Sequence, residues 1–482
     1  MWNKILLIYP NIRSKLVTDN FRIPPLGLEY LMAHVKDLVK IDILDARNLR
    51  LDINDIREYI LKYKPDLCGI GVNLTCGINL ALNIANIVKN EIGNGCKVIL
   101  GGWHPTLTYE EILESPYVDA VIRGEGELTF TELIKKGKFD NILGISYKKN
   151  GKIIHNEDRP LIANLDNLTF PHRDYRRAKY SMLRIPMDVI ETSRGCPFSC
   201  NFCCIHEFYR HTYRMRSAKS VVKELYEIKR KRGVNDILIV DDNFTGSIKH
   251  VKELCNLIIK SNLNLHFIAQ VRVDSIVKHP EMVELMAKAG FWLFFIGIES
   301  ITDKGLKDIN KRISVSQILR AIDIVHRNNI IIIGNIILGS DLDATEEEVL
   351  QSIRRARYFQ IDFLTYSILT PLPRTKFRRE CEEESLITSR NWSKYSELEA
   401  VIRTHKLSSE QLDKLHRIAM NQAFLHRNYK AVGKRILKAR GIIFLFLLIL
   451  RIFFFTFEFM PSMIGRSIKS DIKKEVKTPK KS

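Results

Sequence analysis

A chain of 482 residues is long enough for two or three domains with sizeable cores, and its 45% hydrophobic and 27% charged content excludes a disordered or fibrous protein. Nine cysteines, an odd number and mostly solitary, argue against a disulfide framework and for reduced thiols, so a tight group of them points to metal or catalysis. Of the net charge of +20, +11 lies in residues 427–482, where 14 Lys and Arg face three acids; that argues against a nucleic-acid groove over the whole protein and for a basic C-terminal device.

The N-terminus, MWNKILLIYPNIRSK, has only a short apolar run and no small-residue cleavage site, so it reads as a first strand and not a signal peptide. Strand-like runs follow at 41–44, 66–72, 97–102 and 118–122, with amphipathic stretches such as PPLGLEYLMAHVKDL and GINLALNIANIVKN between them. Apolar strands alternating with helices predict βαβ units and a doubly wound parallel sheet, which binds ligands at the carboxyl ends of its strands. At those ends the sequence places Tyr9-Pro10, Asn73-Leu74-Thr75, Gly101-Gly102-Trp103-His104-Pro105 and Gly124-Glu125-Gly126-Glu127.

Residues 144–158 predict a hairpin turning at Asn150-Gly151, followed by an extended stretch with Pro160, Pro171 and Pro186. The whole of 141–185 reads as a linker. From 187 the alternation resumes through strands at 187–193, 236–242, 265–271, 291–300, 330–339 and 363–370, six βα units that predict a partial barrel with its reactive loops at the strand carboxyl ends. Residues 405–440 read as helical and basic, and GIIFLFLLILRIFFFTFEFMPSMIG precedes a Lys-rich tail. The longest unbroken apolar run there is nine residues, 442–450, short of the roughly 20 a spanning helix needs, and Arg451 would cost roughly 2.5–3.5 kcal/mol in a bilayer centre. An in-plane or shallow anchor, flanked by Lys434, Arg435, Lys438 and Arg440 that attract anionic headgroups, is the expectation; a span and a buried terminal helix are the alternatives.

RGCPFSCNFCC, directly after the first barrel strand, holds Cys196, Cys200, Cys203 and Cys204. Structural zinc pairs two knuckles or a knuckle with histidines, and His206 and His211 leave that reading open. Three thiolates on a four-iron cluster would instead leave one iron free for a cofactor.

C-x3-C-x2-C after the first strand of a partial barrel, with Phe202 before the last cysteine, resembles the radical S-adenosylmethionine superfamily. The resemblance implies that Cys196, Cys200 and Cys203 hold a [4Fe-4S] cluster, with Cys204 outside the set. It implies that the free iron chelates S-adenosylmethionine, whose reductive cleavage gives a 5′-deoxyadenosyl radical. Contacts to S-adenosylmethionine would come from Phe202, Asp241, Asp242, Asn243, Arg272, Glu299 and Gly339, at successive strand ends. The N-terminal half, through PPLGLEYLMAHV, GGWHPT and IRGEGE, together with YRMRS after the cysteines, resembles the branch with a cobalamin-binding domain, which includes anaerobic magnesium-protoporphyrin monomethyl ester cyclase and hopanoid- and lipid-modifying enzymes. That implies cobalamin contacts at Asn73, Thr75, Gly101, Gly102, His104, Gly124 and Glu125. Two departures stand out. The first loop reads YPNIRSK without the histidine of a D-x-H-x-x-G motif, so cobalamin would lack a ligand from there. Pro371-Leu372-Pro373-Arg374-Thr375 carries Arg374 where relatives commonly have Gly, near the expected substrate mouth.

The implied architecture is an α/β chain: a cobalamin-binding Rossmann-like domain over 1–140, the linker 141–185, a partial (β/α)6 barrel over 186–400, a basic helical region 401–440, the membrane-associating segment 441–465 and a basic tail 466–482. The implied activity is a cobalamin-dependent radical modification of an unactivated carbon, by C-methylation or by ring or C–C bond formation, on an apolar lipid or tetrapyrrole. An electron donor such as ferredoxin or flavodoxin, a cytoplasmic location at the inner face of the membrane and no nucleic-acid partner complete the expectation. The rivals are a tRNA-modifying methylthiotransferase, whose extra cluster would need Cys68, Cys76 and Cys96, and a non-catalytic, membrane-tethered cobalamin or redox sensor.

Overall fold

The computed structural model describes residues 2–12, 21–182, 185–425, 429–445 and 448. Its N-terminal strands are β1 (Lys4–Tyr9), β2 (Phe21–Arg22), β3 (Lys40–Asp45), β4 (Leu67–Gly71), β5 (Lys97–Gly101), β6 (Ala120–Ile122), β7 (Ile145–Lys149) and β8 (Lys152–His155). All but β2 form one sheet in the order β3-β1-β4-β5-β6-β7-β8, parallel from β3 to β6. The apolar character of KILLIY follows from double coverage. Leu6 and Ile8 face one core with Ile56, Ile84 and Val88, while Ile5 and Leu7 face another with Met32, Phe130 and Leu133. Strand order reverses at β1, between β3 and β4, and such a reversal opens a crevice at the carboxyl edge of the sheet.

The hairpin turns at Asn150 and Gly151, both at positive φ as a tight two-residue turn requires. It does not lie in a linker. β7 pairs antiparallel with β6, so the hairpin extends the first sheet and gives the short β6 a partner on its open side. The extended stretch begins only after it.

The second sheet comprises β9 (Ser181–Met182), β10 (Ile185–Ile190), β13 (Asp236–Ile239), β14 (His266–Val271), β15 (Phe291–Glu299), β16 (Ile331–Leu338) and β17 (Phe363–Ile368), joined at its edge by β2. The order β17-β16-β15-β14-β13-β10 is parallel throughout, with β9 and β2 antiparallel beyond β10. Helices such as Ala218–Arg232, Ile248–Ser261 and Val315–Arg327 cover its outer face, each opened by a serine whose hydroxyl caps a backbone N–H. β11 (Ser193–Gly195) and β12 (Tyr213–Met215) form a separate ribbon that frames the cysteine loop.

The segment after the hairpin seals the seam between the domains with buried charge. Arg176 bridges Glu29 of the N-terminal domain, 2.6 Å, and Asp188 of β10, 2.8 Å, and all three side chains are at most 1% exposed. Arg173 continues the chain to Asp188 and Glu224. Removing one member of such a buried set leaves an uncompensated charge, so the set fixes the domain pairing.

The C-terminal part of the chain differs from the sequence expectation. After the helix Ser409–Leu425, residues 429–445 are helical and run across the N-terminal ends of the barrel strands. Val432 and Ile436 are buried there against Met187, Val189, Leu238 and Ile331. Arg435 pairs with Asp362, which precedes β17, and Arg440 holds Asp236 at the start of β13 through two hydrogen bonds of 2.5 and 3.0 Å. The Arg440 guanidinium also stacks on Trp292 and Phe444. These two arginines were expected to seek headgroups; buried aspartates at the barrel base take them instead. Most of the apolar segment 441–465 and all of the tail 466–482 lie outside the described residues, and no described helix is long and apolar enough to cross a membrane.

Candidate active site

The cysteine loop leaves the carboxyl end of β10 and is held from below by backbone. Asn201 N–H donates to Ile309 O and its side-chain amide to Asp308 O, Asn310 Nδ2 donates to Ser199 O at 2.7 Å, and Phe377 N–H donates to Asn201 O. Cys203 N–H donates to Cys200 O at 3.2 Å, and Cys204 caps the short helix Ile205–Phe208, its carbonyl accepting from Phe208 N–H. Burial pushes the Cys196 and Cys203 thiols up, and that of Cys204 to about 12. Among the described residues no three Cys, His, Asp or Glu side chains converge on one point as a single metal ion requires. The Cys196, Cys200 and Cys203 thiols are not gathered round one point either, and Cys68 and Cys96 are buried in the N-terminal core. Three thiols spread along one loop are the donor set of a polynuclear cluster, where each iron takes one thiolate.

Of the residues expected around S-adenosylmethionine, the structure gathers most at the strand ends, with distinct duties. Asp242 lines the cleft described below, and burial raises its pKa to about 7. Asn243 points its amide at Cys196 Sγ, 3.8 Å away. Glu299, at φ +63, accepts a 2.6 Å hydrogen bond from Lys311 Nζ. A Cβ on Gly297 would sit 2.1 Å from that carboxylate, so only glycine lets it fold back. Arg272 lays its guanidinium 3.5 Å over the Phe198 ring and donates to Lys311 O, tying the cysteine loop to the fourth strand's loop. Phe202 packs on the barrel core, and Gly339 ends β16 at φ +82. Asp241 departs from its expected role: Thr192 N–H, Thr192 Oγ1 and Ser193 Oγ donate to its carboxylate, so it shapes the turn after β10.

Facing the loop, the carboxyl edge of the first sheet forms a cavity of about 330 Å³ between the domains. Its floor is paved by Gly69, Gly71, Gly101, Gly102, Gly124 and Gly126, with Leu7, Ile70 and Leu100 beside them. A Cβ on Gly102, at φ +110, would come 2.5 Å from Val72 O, while above Gly124 the space is open. This smooth apolar bed at the reversal of strand order fits a large flat cofactor. Asn73, Gly101, Gly102, Gly124 and Glu125 line the cavity as expected from the sequence.

Thr75 and His104 do not line it. Thr75 is taken up in the turn Thr75–Gly77, and His104 is buried edge-on against Trp392, 5.0 Å between centroids. The Glu125 carboxylate is already engaged: Arg194 donates to Oε1 at 2.9 Å, and Arg214 and Ile162 N–H donate to Oε2. Arg194 also holds Glu127 at 2.6 Å and Glu191 at 2.8 Å. Glu127 was placed at a strand end by the sequence, but Arg194, Arg214 and Glu191 were not singled out, although the first two lie inside the RGC and YRMRS segments. Arg374 does not open to a substrate mouth either. It donates to Leu107 O and Glu110 of the N-terminal domain and stacks on Tyr109.

A three-thiol loop at the first strand of a parallel half-barrel, facing a glycine-paved switch-point cleft, defines a radical S-adenosylmethionine enzyme with a cobalamin domain. Comparison with known proteins agrees. The radical SAM superfamily matches residues 190–353 and the B12 binding domain residues 15–134. An uncharacterized methyltransferase of Pyrococcus horikoshii is 34% identical over 91% of this chain and 96% of its own length. The anaerobic magnesium-protoporphyrin IX monomethyl ester cyclase of Rubrivivax gelatinosus is 29% identical over 88% of this chain and 78% of its own, and the hopanoid C-3 methylase of Methylococcus capsulatus 26% over 83% and 76%. The radical S-adenosylmethionine methyltransferase TsrM of Kitasatospora setae, solved with cobalamin and a [4Fe-4S] cluster, shares the fold with a TM-score of 0.66 at 19% identity, over 80% of this chain and 75% of that one. The chain belongs to the cobalamin-dependent radical S-adenosylmethionine enzymes, the family of methyltransferases and cyclases whose cofactors are an iron–sulfur cluster, S-adenosylmethionine and cobalamin.

Proposed function

We propose that this enzyme modifies an unactivated carbon of an apolar, membrane-associated substrate of lipid or tetrapyrrole type, by C-methylation or by ring or C–C bond formation. The observation that carries the reading is the cleft lined on one side by the glycine-paved bed with Leu7, Leu28 and Ile70, and on the other by Ser193, Arg194, Phe208 and Tyr209, which flank the cysteine loop; Trp103, also in its wall, packs in one cluster with Cys196 and Cys203. Cys196, Cys200 and Cys203 are the cluster ligands in this reading, with Asp242, Asn243 and Glu299 toward S-adenosylmethionine and Asn73, Gly101, Gly102 and Gly124 toward cobalamin. When bound, these groups supply a carbon-centred radical and either a methyl donor or an electron sink. The protein's own part is to orient and to exclude water. Arg272 and Asn201 fix the cysteine loop, Arg194 fixes the distance between the two cofactor beds, and the apolar cleft walls keep a reactive centre dry. Asp242, with its pKa near 7, can hold or accept a proton beside the loop. Two relatives, named for a magnesium-protoporphyrin ester and for a hopanoid, support the substrate class. A small one-electron donor of ferredoxin or flavodoxin type and peripheral attachment to the inner face of the membrane belong to the same proposal. The test is 5′-deoxyadenosine formation by reduced, anaerobically reconstituted protein. Cluster assembly without that product would overturn the reading.

A further inference from the structure

The terminal helix sorts its cations by side. Arg435 and Arg440 face the barrel base and are spent on Asp362 and Asp236. Lys430, Lys434 and Lys438, one turn apart along a single stripe, are exposed and have no ion-pair partner among the described residues. Beside that stripe Leu437, Ile442 and Ile443 are 41%, 65% and 74% exposed. From this point the sequence runs on as FLFLLIL, completing the nine-residue apolar run 442–450. Gly441, at φ +81, turns the backbone between the lysine stripe and the isoleucines.

The surrounding surface has the same sign. The helix Ala218–Arg232, which leads into β13 at this base, closes with Lys229, Arg230, Lys231 and Arg232. Of these, Lys231 pairs with Glu227, while Arg230 has no ion-pair partner among the described residues; neither has Lys260 at the end of the next helix. Positive charge at a helix carboxyl end is ordinary compensation of the dipole. An exposed apolar pair in the middle of such a rim is not.

We propose that the N-terminal face of the barrel is a docking surface for an anionic lipid bilayer. Lys430, Lys434 and Lys438 meet headgroups, and Leu437, Ile442 and Ile443 enter the acyl boundary. This rests on the membrane attachment proposed above and names its surface. Charge alone would suit RNA equally; the exposed aliphatic side chains favour lipid, since nucleic acid rewards aromatic stacking and not buried isoleucine. The geometry has a consequence for the substrate. The cysteine loop lies at the opposite ends of the strands, roughly 25 Å away along an eight-residue strand at about 3.3 Å per residue. The bilayer contact therefore tethers the enzyme, while the cleft opens away from the bilayer, so an apolar substrate has to leave the membrane to enter it.

The test is co-sedimentation of the full chain with vesicles of phosphatidylcholine alone and of phosphatidylcholine with phosphatidylglycerol. Binding to the anionic vesicles is expected, and the Lys430→Glu/Lys434→Glu/Lys438→Glu variant should lose at least about tenfold of it. Ile442→Asp/Ile443→Asp should lose a similar factor with the lysines intact. Both variants change exposed residues only, so unchanged thermal unfolding and unchanged 5′-deoxyadenosine formation in solution would show that the fold and the chemistry survive. Equal binding by wild type and both variants would overturn the surface but leave membrane attachment standing. No vesicle binding by the wild type would overturn the attachment itself. Full vesicle binding by the isoleucine variant, with loss only in the lysine variant and displacement by RNA, would mark a polyanion surface and overturn the lipid assignment.

Discussion

Arg194, two residues before the first cysteine of the loop, and Glu125, on the lip of the cleft in the other domain, are joined by a 2.9 Å hydrogen bond with both side chains only 5% exposed. The residue that leads into the cysteine loop is thereby bolted to the segment that borders the glycine-paved cleft. Glu127 and Glu191 take the remaining donors of the same guanidinium. Arg194→Gln would leave buried carboxylates without a counter-charge, and breaking such a set costs about 3–5 kcal/mol. A matching drop in the denaturant midpoint is expected, together with reduced cobalamin retention. Arg194→Lys, which keeps the charge but not the forked geometry, should fall between the two. Unchanged stability in Arg194→Gln would show that the pair does not hold the domains.

Within the loop, Cys204 stands apart because it caps the short helix Ile205–Phe208, its carbonyl accepting from Phe208 N–H, whereas Cys203 N–H donates back to Cys200 O. Cys204→Ser should retain about four irons per chain after anaerobic reconstitution, and Cys203→Ser should fall to background. Iron quantification and the visible absorption of the cluster read this directly. Exchanged outcomes would shift the register by one residue.

The cysteine loop and its place after β10 were legible in the sequence because the motif is local, and the parallel strands because burial on both faces makes runs such as KILLIY apolar throughout. The interdomain charges were not. Arg194 and Glu125 lie 69 residues apart, and a count of acids and bases does not say which will meet. Two-residue β2 has no pattern to read, and its place at the edge of the second sheet comes from tertiary pairing with β9. The strand-end rule found the cleft but overreached at Thr75, which is taken up in the turn Thr75–Gly77, and at His104, which packs edge-on against Trp392 while its neighbour Trp103 lines the cleft. Arg435 and Arg440 looked like headgroup ligands since nothing in the sequence announces that Asp362 and Asp236 would be buried beneath them.

Arg374 occupies φ +61, a left-handed conformation that costs a non-glycine residue roughly 1–2 kcal/mol. Its partner Glu110 is 54% exposed, and such a surface pair contributes about 0–1 kcal/mol. The two effects nearly offset. Arg374→Gly should therefore lie within about 1 kcal/mol of the parent, whereas Arg374→Ala keeps the strain and loses the pair, and should be the less stable variant by about 1 kcal/mol. Chemical denaturation of the three proteins checks the order, which reverses the usual preference for alanine over glycine. If alanine proved the more stable, the left-handed backbone would not be what this position selects for.

His104 is 2% exposed, and neither ring nitrogen has a hydrogen-bond partner among the described residues. Burial, with a smaller push from Arg378, lowers its pKa to about 4. The unfolded chain takes up a proton below about pH 6.5 that the native protein refuses until about pH 4, so stability is fully present above 6.5 and is lost as the pH falls through this window. The slope from one such group is at most about 1.4 kcal/mol per pH unit. Glu191 and Asp242 act in the opposite sense. Burial raises both to about 7, so the native apoprotein keeps protons that the unfolded chain has released, and stability falls as the pH rises from the ordinary carboxyl range toward 7. With one group sloping up and two sloping down, the wild type should lose stability with rising pH between 4.5 and 6.5 by at most about 1.4 kcal/mol per unit. His104→Phe keeps the ring packed on Trp392 and removes the one opposing slope, so its decline across that window should be up to about twice as steep. Denaturant unfolding of the apoprotein at several pH values measures the difference, and parallel profiles for the two proteins would show that His104 is not held neutral in the native state.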